Sequence, residues 1–350
     1  MPFRLFRRAS ATLTVASAVA LGVPLLAMSG IASAATPIKM VLNWKYEGPQ
    51  AWFFLAQDRG YFKAEGLDVT FDQGEGSDAS IPKVASGAYQ AGFGDLNALV
   101  ELAAKEPAAA PVAVDVLYNT PPFAVVVKSD SPIHTPKDLE GKNVGAPAND
   151  GALKLFPAFA KLAGVDASKV HITNIAPNLR EQMLMRGQVD AIFGYMTTIT
   201  FSTRAMGVDA AHDLRFIRYG DYGMNLYSNA VFFSRDFIKA NPEAVRGFLV
   251  ALNHGIRDVI ADPDAGVDAV MKREPLLNRD VEKAKLLATM HNDMSAPEIA
   301  KIGLGDVDQN RLKRDISIIV DAASLPRTPA PADVFDNHFL PPRTDRPSAM

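Results

Sequence analysis

The stretch over residues 38–72 constrains the fold more than any other part of the chain. An apolar, strand-like run there ends on Asn43 and Trp44. A helical run over 49–57 follows, and a second strand-like run begins at Leu67. Because a strand, a helix and a second strand in this order form the repeating unit of a parallel sheet, the stretch predicts an open α/β fold. It also places Asn43 and Trp44 at the carboxyl edge of that sheet, where such folds bind ligands.

The same alternation of strand-like and helix-like runs continues to residue 233, after which the pattern is almost entirely helical. The chain is therefore predicted to be α/β, with helices covering its sheets. The predicted strands lie at 38–42, 67–72, 90–94, 112–118, 123–128, 143–146, 170–174, 191–194, 214–218 and 230–233. The predicted helices lie at 49–57, 80–86, 96–105, 151–163, 180–186, 242–258, 263–273, 280–290 and 311–323.

Two irregular crossings divide these elements into two lobes. The first, near 119–123, contains Pro121 and Pro122, each of which fixes a φ angle and removes a backbone donor. The second lies near 224–229. Two lobes joined by two hinge segments enclose a cleft and can close on a ligand. We predict lobe 1 over 35–121 and 227–325, lobe 2 over 122–226, and an irregular carboxyl-terminal tail over 326–350.

Residues 1–34 have the composition of a cleavable export signal. Several arginines precede an apolar run over 11–28, and Ala-Ser-Ala at 32–34 fits the small-residue cleavage rule. The alternative is an uncleaved membrane anchor, which is disfavoured because Pro24 interrupts a weakly apolar span. We expect a periplasmic protein without a membrane span after cleavage. Export by the general secretory or the twin-arginine route stays open.

Composition excludes several classes of function. A net charge of −3 does not suit a nucleic-acid partner. The chain has no cysteine, which excludes disulfides, thiolate metal sites and thiol nucleophiles. Its six histidines are scattered without ligand spacing, and the sequence has no Walker loop, Gly-x-Ser-x-Gly elbow or His-Glu-x-x-His. We therefore predict no metal, no cofactor and no catalytic residue.

Seven short motifs are spread over almost the whole mature chain. They are Gly-Tyr-Phe at 60–62, Glu-Gly-Leu at 65–67, Thr-Pro-Lys-Asp-Leu-Glu-Gly-Lys at 135–142, Arg-Gly-Gln-Val-Asp-Ala at 186–191, Asp-Tyr-Gly at 221–223, Phe-Ile-Lys-Ala-Asn-Pro-Glu-Ala-Val-Arg at 237–246 and Ala-Asp-Pro at 261–263. Together they resemble the solute-binding proteins of ABC importers, in the superfamily that binds thiamine-pyrimidine precursors, nitrate, sulfonates and taurine. The resemblance implies a type II periplasmic binding protein fold, with two hinge crossings and a ligand cleft between the lobes.

The resemblance also implies what the protein does. It would capture a small-molecule ligand, as a monomer, and deliver it to the permease and ATPase subunits without chemical change. Aromatic and acidic candidates near the predicted cleft favour a planar ring with N–H donors, such as a pyrimidine. The alternative, an aliphatic sulfonate, taurine or nitrate, needs a cation in the cleft, for which Lys45 and Arg180 are the candidates. Pyrimidine binders of the family carry a glutamate where this chain has Met-Thr-Thr-Ile at 196–199, so the ligand stays open.

Two further classes of function compete with this interpretation. One branch of the superfamily is an enzyme that makes the thiamine pyrimidine, using a lysine and a histidine after the third strand and a cysteine-rich loop. Residues 94–100 contain neither lysine nor histidine, and the chain has no cysteine, so this enzyme is disfavoured. The other class is the sensor module of a signalling system, which would need a partner chain to supply an output domain.

The candidate ligand-binding residues lie at predicted strand ends and helix starts. Trp44 suits stacking on a flat ring, and the alternative is an aromatic at the rim of the core. Loops at 74–80, 94–97 and 149–151 open helices, so their polar residues either contact the ligand or cap those helices. The tyrosines either close over a ring or pack between the lobes. The predicted set is Asn43, Trp44, Tyr46, Ser77, Asp95, Asn97, Thr120, Phe123, Asn149, Asp150, Gly151, Tyr195, Asp221 and Tyr222.

Overall fold

The strands of residues 35–350 form two separate five-stranded sheets. The computed structural model describes these residues, which make up one unit, and the predicted export signal at 1–34 lies outside them. Both sheets carry helices on their faces, so the α/β class predicted from the sequence is confirmed. In chain order the strands are β1 (Thr36–Val41), β2 (Leu67–Asp72), β3 (Ala91–Asp95), β4 (Val112–Val116), β5 (Phe123–Lys128), β6 (Asn143–Ala146), β7 (His171–Asn174), β8 (Ala191–Tyr195), β9 (Leu214–Arg218) and β10 (Asn229–Phe233).

The helices alternate with the strands through both lobes and then dominate the last third of the chain. They are α1 (Ala51–Asp58), α2 (Tyr61–Ala64), α3 (Ser80–Ala85), α4 (Leu96–Lys105), α5 (Gly151–Ala163), α6 (Arg180–Met185), α7 (Met196–Ala205), α8 (Ala210–Asp213), α9 (Arg235–Ala240), α10 (Pro242–Ala261), α11 (Pro263–Met271), α12 (Arg279–Asp293), α13 (Ile299–Ile302), α14 (Gln309–Ala323) and α15 (Pro331–Val334).

The sheet of lobe 1 has the order β2-β1-β3-β10-β4, and the sheet of lobe 2 has the order β7-β6-β8-β5-β9. In each sheet the first three strands are parallel, and one returning strand, β10 or β5, runs antiparallel to both of its neighbours. Every residue of β3, β4, β8 and β10 is buried. Near-continuous apolar runs such as Val-Ala-Val-Asp-Val in β4 are therefore explained by helices on both faces.

Two chain crossings connect the lobes. The first runs from the end of β4 to the start of β5, and the second from the end of β9 to the start of β10. The amides of Leu117 and Tyr118 donate to the carbonyl of Asn229 over 3.1 and 3.0 Å, and the amide of Ser228 donates to the carbonyl of Tyr118 over 2.9 Å. The two crossings therefore lie side by side, as a paired hinge.

Several parts of the chain differ from the sequence-based expectation. Helices α2, α7, α8, α9 and α13 were not predicted, and α7 contains a β-branched run, Thr-Thr-Ile-Thr, that disfavours a helix by propensity. The tail over 326–350 was predicted to be irregular, but it contains α15 and two 3-10 turns. It also packs on lobe 1, since Phe335 forms a parallel bridge with Ala113 and is buried. Within residues 35–350, every helix is too short or too polar to cross a membrane.

Candidate functional site

The carboxyl ends of strands from both lobes meet at one cleft. Asn43 and Trp44 follow β1 in lobe 1, while Tyr195 ends β8 and Asp150 follows β6 in lobe 2. The cleft has a volume of about 30 Å³. This is far below the usual range of ligand pockets, about 300–1,000 Å³, so the cleft is almost fully closed. Its lining residues are Asn43, Trp44, Gly76, Ser77, Asp150, Arg180, Tyr195 and Thr198.

The lobe 1 wall is fixed by hydrogen bonds between two loops. The carbonyl of Trp44 accepts from the amide of Gly74 over 2.9 Å, and the carbonyl of Asn43 accepts from the amide of Gly76 over 3.2 Å. The buried side chain of Asn43 accepts from Nε2 of Gln50 through Oδ1 over 2.9 Å. Its Nδ2 group makes no hydrogen bond within residues 35–350 and remains available to a ligand.

The lobe 2 wall contains a buried arginine between two carboxylates. Nη1 of Arg180 lies 3.1 Å from Oδ2 of Asp150, and Nη2 lies 2.6 Å from Oε1 of Glu181. The guanidinium also lies over the indole of Trp44, 5.6 Å from the ring centroid. This distance allows cation–π attraction across the cleft, from lobe 2 to lobe 1. Gly194 leaves room for the arginine, since a Cβ there would lie 2.6 Å from Nη1.

Asp150 serves two purposes at the start of α5. Its Oδ1 accepts from the amides of Ala152 and Leu153, which is the geometry of an N-cap. Its Oδ2 pairs with Arg180. Burial raises the pKa of the Asp150 carboxyl, and the arginine and the two amides oppose that rise. The cap thus leaves one carboxylate oxygen directed toward the cleft wall.

Tyr195 links lobe 2 to four residues of lobe 1. Its hydroxyl oxygen lies 2.8 Å from Oγ of Ser77 and 2.8 Å from Oδ1 of Asn229. It also lies 3.3 Å from Oδ2 of Asp95 and 3.3 Å from Oγ of Ser228. Burial raises the pKa of Asp95 to about 7 and that of the Tyr195 hydroxyl well above its usual range. The cluster therefore joins the two lobes through buried polar groups.

The backbones of the two lobes approach closely beside this cluster. A Cβ on Gly76 would lie 2.1 Å from the carbonyl oxygen of Asn149, and φ of Gly76 is +140°. A Cβ on Gly151 would lie 2.7 Å from Oγ of Ser77 and 3.0 Å from Oδ2 of Asp95. The approach requires glycine at both positions, and it describes a closed cleft.

The predicted site residues divide into three groups. Asn43, Trp44, Ser77, Asp150 and Tyr195 line the cleft. A second group lies directly behind these residues or at the lobe contact. It consists of Asp95, Asn97, Phe123, Asn149 and Gly151. Asp95 caps α4, and Asn97 donates to Asp95 and to the carbonyl of Tyr227. The ring centroid of Phe123 lies 5.4 Å from that of Tyr195.

The third group lies away from the residues that line the cleft. The Tyr46 hydroxyl donates to the carbonyl of Phe71 over 2.5 Å, so this side chain packs on the lobe 1 core. Asp221 is exposed, and Tyr222 packs edge-on to Phe159 at 5.6 Å. Thr120 borders a separate groove between the hinge and α7.

Several backbone N–H groups at the helix starts of these three loops bond within the protein. The amide of Leu96 donates to the carbonyl of Ser228 over 3.0 Å. The amides of Ala152 and Leu153 donate to Asp150. The amide of Gly76 donates to the carbonyl of Asn43, as described above. Side chains are therefore the main polar groups that this cleft offers.

The cleft also contains three residues outside the predicted set: Gly76, Arg180 and Thr198. Gly76 belongs to the loop that had been singled out through Ser77. Arg180 had been considered only as a possible cation for an anionic ligand. Thr198 lies on α7, which was not predicted. Within residues 35–350, no cluster of His, Asp or Glu side chains could hold a metal ion.

The two-lobed fold with a cleft between the lobes is that of the periplasmic binding proteins. The alkanesulfonate-binding protein SsuA of Xanthomonas axonopodis pv. citri, solved with MOPS bound, matches with a TM-score of 0.66. It is 16% identical, and the match covers 87% of this chain and 99% of that chain. Residues 50–266 match the family described as NMT1/THI5 like, and the chain belongs to this family.

Relatives in sequence include both binding proteins and synthases. The riboflavin-binding protein RibY of Chloroflexus aurantiacus is 27% identical over 301 residues, covering 83% of this chain and 82% of RibY. The 4-amino-5-hydroxymethyl-2-methylpyrimidine phosphate synthase of Aspergillus parasiticus is 25% identical over 255 residues, covering 70% of this chain and 73% of the synthase. Both names concern a nitrogen heterocycle.

Proposed function

We propose that this chain is the periplasmic solute-binding component of an ABC importer, and that it captures a small, flat, heterocyclic nutrient of the pyrimidine kind. The observation that carries the proposal is the two-walled cleft. Asn43 and Trp44 line it from lobe 1, and Asp150, Arg180 and Tyr195 line it from lobe 2. A ligand that contacts both walls binds the closed form better than the open form, and so shifts the protein toward closure.

The wall groups suit a planar ring with polar edges. Trp44 is half-buried and is held on one side by the Arg180 guanidinium, so its indole is a rigid surface for stacking. Nδ2 of Asn43 and the hydroxyl of Thr198 make no hydrogen bond within the described residues, and they supply donors at the ring edge. The Asp150 carboxylate supplies an acceptor.

An aliphatic sulfonate, taurine or nitrate is the alternative ligand class, and the charge of the cleft disfavours it. Arg180 is the cation among the lining residues, and both Asp150 and Glu181 compensate it. Nearby, Lys285 is compensated by Glu47 and Glu282, at 3.0 and 3.1 Å. An anion in the cleft would be desolvated without a free positive charge to receive it.

Synthesis of a pyrimidine is the second candidate function, because of the similarity to the fungal synthase. The residues that line the cleft include no histidine, lysine or cysteine, and the chain has no cysteine at all. These are the usual groups for proton transfer and for covalent catalysis at neutral pH. We therefore expect binding without chemical change of the ligand.

The proposal includes a location and partners. We expect residues 1–34 to direct export and to be removed, which leaves a periplasmic protein. We expect it to act as a monomer and to hand its ligand to a permease with an ATPase. The similarity to periplasmic binding proteins supports this expectation at the level of the fold.

Native mass spectrometry of the protein purified from the periplasm of its own organism tests the ligand class directly. We expect a co-purifying, neutral or cationic compound that contains a nitrogen heterocycle. A sulfonate or another anion in the spectrum would contradict the proposal. A chemically altered compound that accumulates on incubation would favour the enzyme instead.

Ligand-dependent melting tests the site. Using the co-purified compound, we expect Trp44→Ala to lose most of the rise in Tm that the wild-type protein shows on binding. Tyr222→Ala is the matched control, because this aromatic packs on Phe159 outside the cleft. Equal ligand stabilisation of Trp44→Ala and the wild type would place the ligand elsewhere.

A further inference from the structure

Arg180 is almost wholly buried although it lines the cleft. It is the first residue of α6, its side chain is 2% exposed, and the side chains of Asp150 and Glu181 are 5% and 7% exposed. A charged group at this depth requires partners for its hydrogen-bond donors. Its contacts therefore indicate what remains available for a ligand.

The five N–H bonds of the guanidinium can be counted against their acceptors. Nε donates to Oε1 of Glu181 over 3.0 Å, and Nη2 donates to the same oxygen over 2.6 Å. Nη1 donates to Oδ2 of Asp150 over 3.1 Å and to the carbonyl of Phe193 over 3.4 Å. These contacts use four of the five. Within residues 35–350, the second hydrogen of Nη2 has no protein acceptor.

The positive charge of Arg180 is more than compensated, although one of its donors is free. Two buried carboxylates face one guanidinium, so this trio carries a net negative charge when all three groups are ionised. A neutral acceptor can take the free N–H without a change in charge. An anion would instead meet the two carboxylates at close range, in surroundings that screen charges poorly.

We infer that Arg180 determines ligand specificity by charge: its one free N–H donates to a carbonyl oxygen of a neutral ring, while Asp150 and Glu181 exclude anionic analogues. The inference rests on the proposed binding function and deepens it. Because Arg180 covers one face of the Trp44 indole, the ring that receives this N–H would lie beside the indole and not stack on the covered face. The ligand class is thus a neutral planar heterocycle with at least one ring carbonyl.

Matched probes test this inference on the mature chain. Uracil and thymine are neutral rings with two carbonyls, and orotate is uracil with an added carboxylate. Isothermal titration with the wild-type protein should give binding of at least one neutral ring, and orotate should bind at least about tenfold more weakly than uracil. Equal or tighter binding of orotate would overturn the inference.

Glu181→Gln is the informative variant, because it removes one negative charge and leaves Arg180 in place. The discrimination of uracil against orotate should shrink by about tenfold in this variant. Glu243→Gln is the charge-matched control, since the side chain of Glu243 is 84% exposed on α10, and it should keep the wild-type ratio. A ratio that is unchanged in Glu181→Gln would overturn the inference while leaving the importer function intact.

Arg180→Lys separates the charge from the donor geometry. Lysine keeps the positive charge but not the planar fork that satisfies both carboxylates and a ligand carbonyl, so binding of the neutral ring should fall at least about tenfold. If this variant fails to fold, the ratio of uracil to orotate affinity in Glu181→Gln still tests the inference. Failure of every neutral ring to bind the wild type, together with binding of taurine, would overturn both the inference and the proposed ligand class.

Discussion

The hydroxyl oxygen of Tyr195 in lobe 2 lies 2.8 Å from Oγ of Ser77 in lobe 1. The same hydroxyl lies 2.8 Å from Oδ1 of Asn229 and 3.3 Å from Oδ2 of Asp95. One O–H can donate to only one of these acceptors at a time, so at least one must itself be protonated or act as a donor. The lobes are thus joined by a shared network of buried protein groups.

Tyr195→Phe should favour the open protein. The substitution removes the hydroxyl from a buried network and keeps the ring that packs on Phe123. We expect a loss of about 1–3 kcal/mol of closed-form stability, the usual cost of leaving a buried polar group unpaired. Small-angle X-ray scattering of the ligand-free variant should show a larger radius of gyration than the wild type.

Tyr222→Phe is the control for this experiment. Tyr222 is half-buried, and its hydroxyl makes no hydrogen bond within residues 35–350. We expect it to scatter as the wild type does. If Tyr195→Phe gave the same radius of gyration as Tyr222→Phe, the network would not hold the lobes together.

Gly151→Ala should interfere with closure while leaving lobe 2 folded. A Cβ at this position would lie 2.7 Å from Oγ of Ser77 and 3.1 Å from the Tyr195 hydroxyl, both at the lobe contact. Within α5 itself alanine is a better helix former than glycine, by about 1 kcal/mol. We therefore expect at least about tenfold weaker ligand binding without loss of thermal stability.

Gly220→Ala provides the comparison, because the nearest atom to its added Cβ is Cγ of Pro121 at 3.6 Å. Its φ lies outside the left-handed region, so alanine is tolerated there. Calorimetric titration of both variants with the co-purified compound would measure the difference. Wild-type affinity in Gly151→Ala would mean that the cleft binds its ligand in a more open form than this structure shows.

The alternation of strands and helices could be predicted from the sequence, because the residues that begin and end each element lie close together in the chain. Helix α5 begins after a capping Asp150 and ends at Gly164, whose φ is +69°, and its predicted bounds agree with the structure. Helix α10 begins at Pro242, where a missing N–H carries no cost. Helix α7 was missed because its β-branched run opposes a helix, and packing against α12 overrides that preference.

The cleft could be predicted only in part, because tertiary contacts determine how its polar side chains are oriented. Trp44 and Asp150 could be placed at the cleft from strand ends alone. Tyr46, only two residues beyond Trp44, instead turns back onto Phe71. Arg180 could not be assigned, since its partner Asp150 lies 30 positions away and the pairing depends on how α6 meets α5. Proximity in sequence to a strand end is therefore a weak guide to orientation.

Asp95 should make stability depend on pH. Its carboxyl ionises near pH 4 in the unfolded chain but has a pKa of about 7 in the folded protein, because burial disfavours the charge and Asp78 repels it. Between these values the folded state binds the extra proton, so the contribution of Asp95 to stability falls as the pH rises from about 4 to about 7 and is constant above that. Asp95→Asn cannot ionise and retains an oxygen to cap α4.

We therefore expect Asp95→Asn to lose less thermal stability than the wild type between pH 5 and pH 8. Other buried acids, such as Asp293 with a pKa of about 8, remain in both proteins, so the difference isolates Asp95. Asp221→Asn, at an exposed carboxyl, should follow the wild-type profile. Parallel profiles for Asp95→Asn and the wild type would show that Asp95 stays ionised in the folded protein.

We expect Lys285 to stabilise the loop that carries Trp44. Its ammonium lies 3.0 Å from Glu47 and 3.1 Å from Glu282, and Glu282 also accepts from the amide of Gly48 over 2.7 Å. Lys285→Met would leave two carboxylates without their cation in a buried site, at a cost of about 3–5 kcal/mol in the free energy of unfolding. Lys283→Met is the matched control on the same helix, because its partner Asp264 is solvent-exposed and an exposed pair of this kind contributes little to stability. Urea unfolding of both variants would measure the two values, and a loss below about 1 kcal/mol in Lys285→Met would show that water reaches and stabilises the two carboxylates.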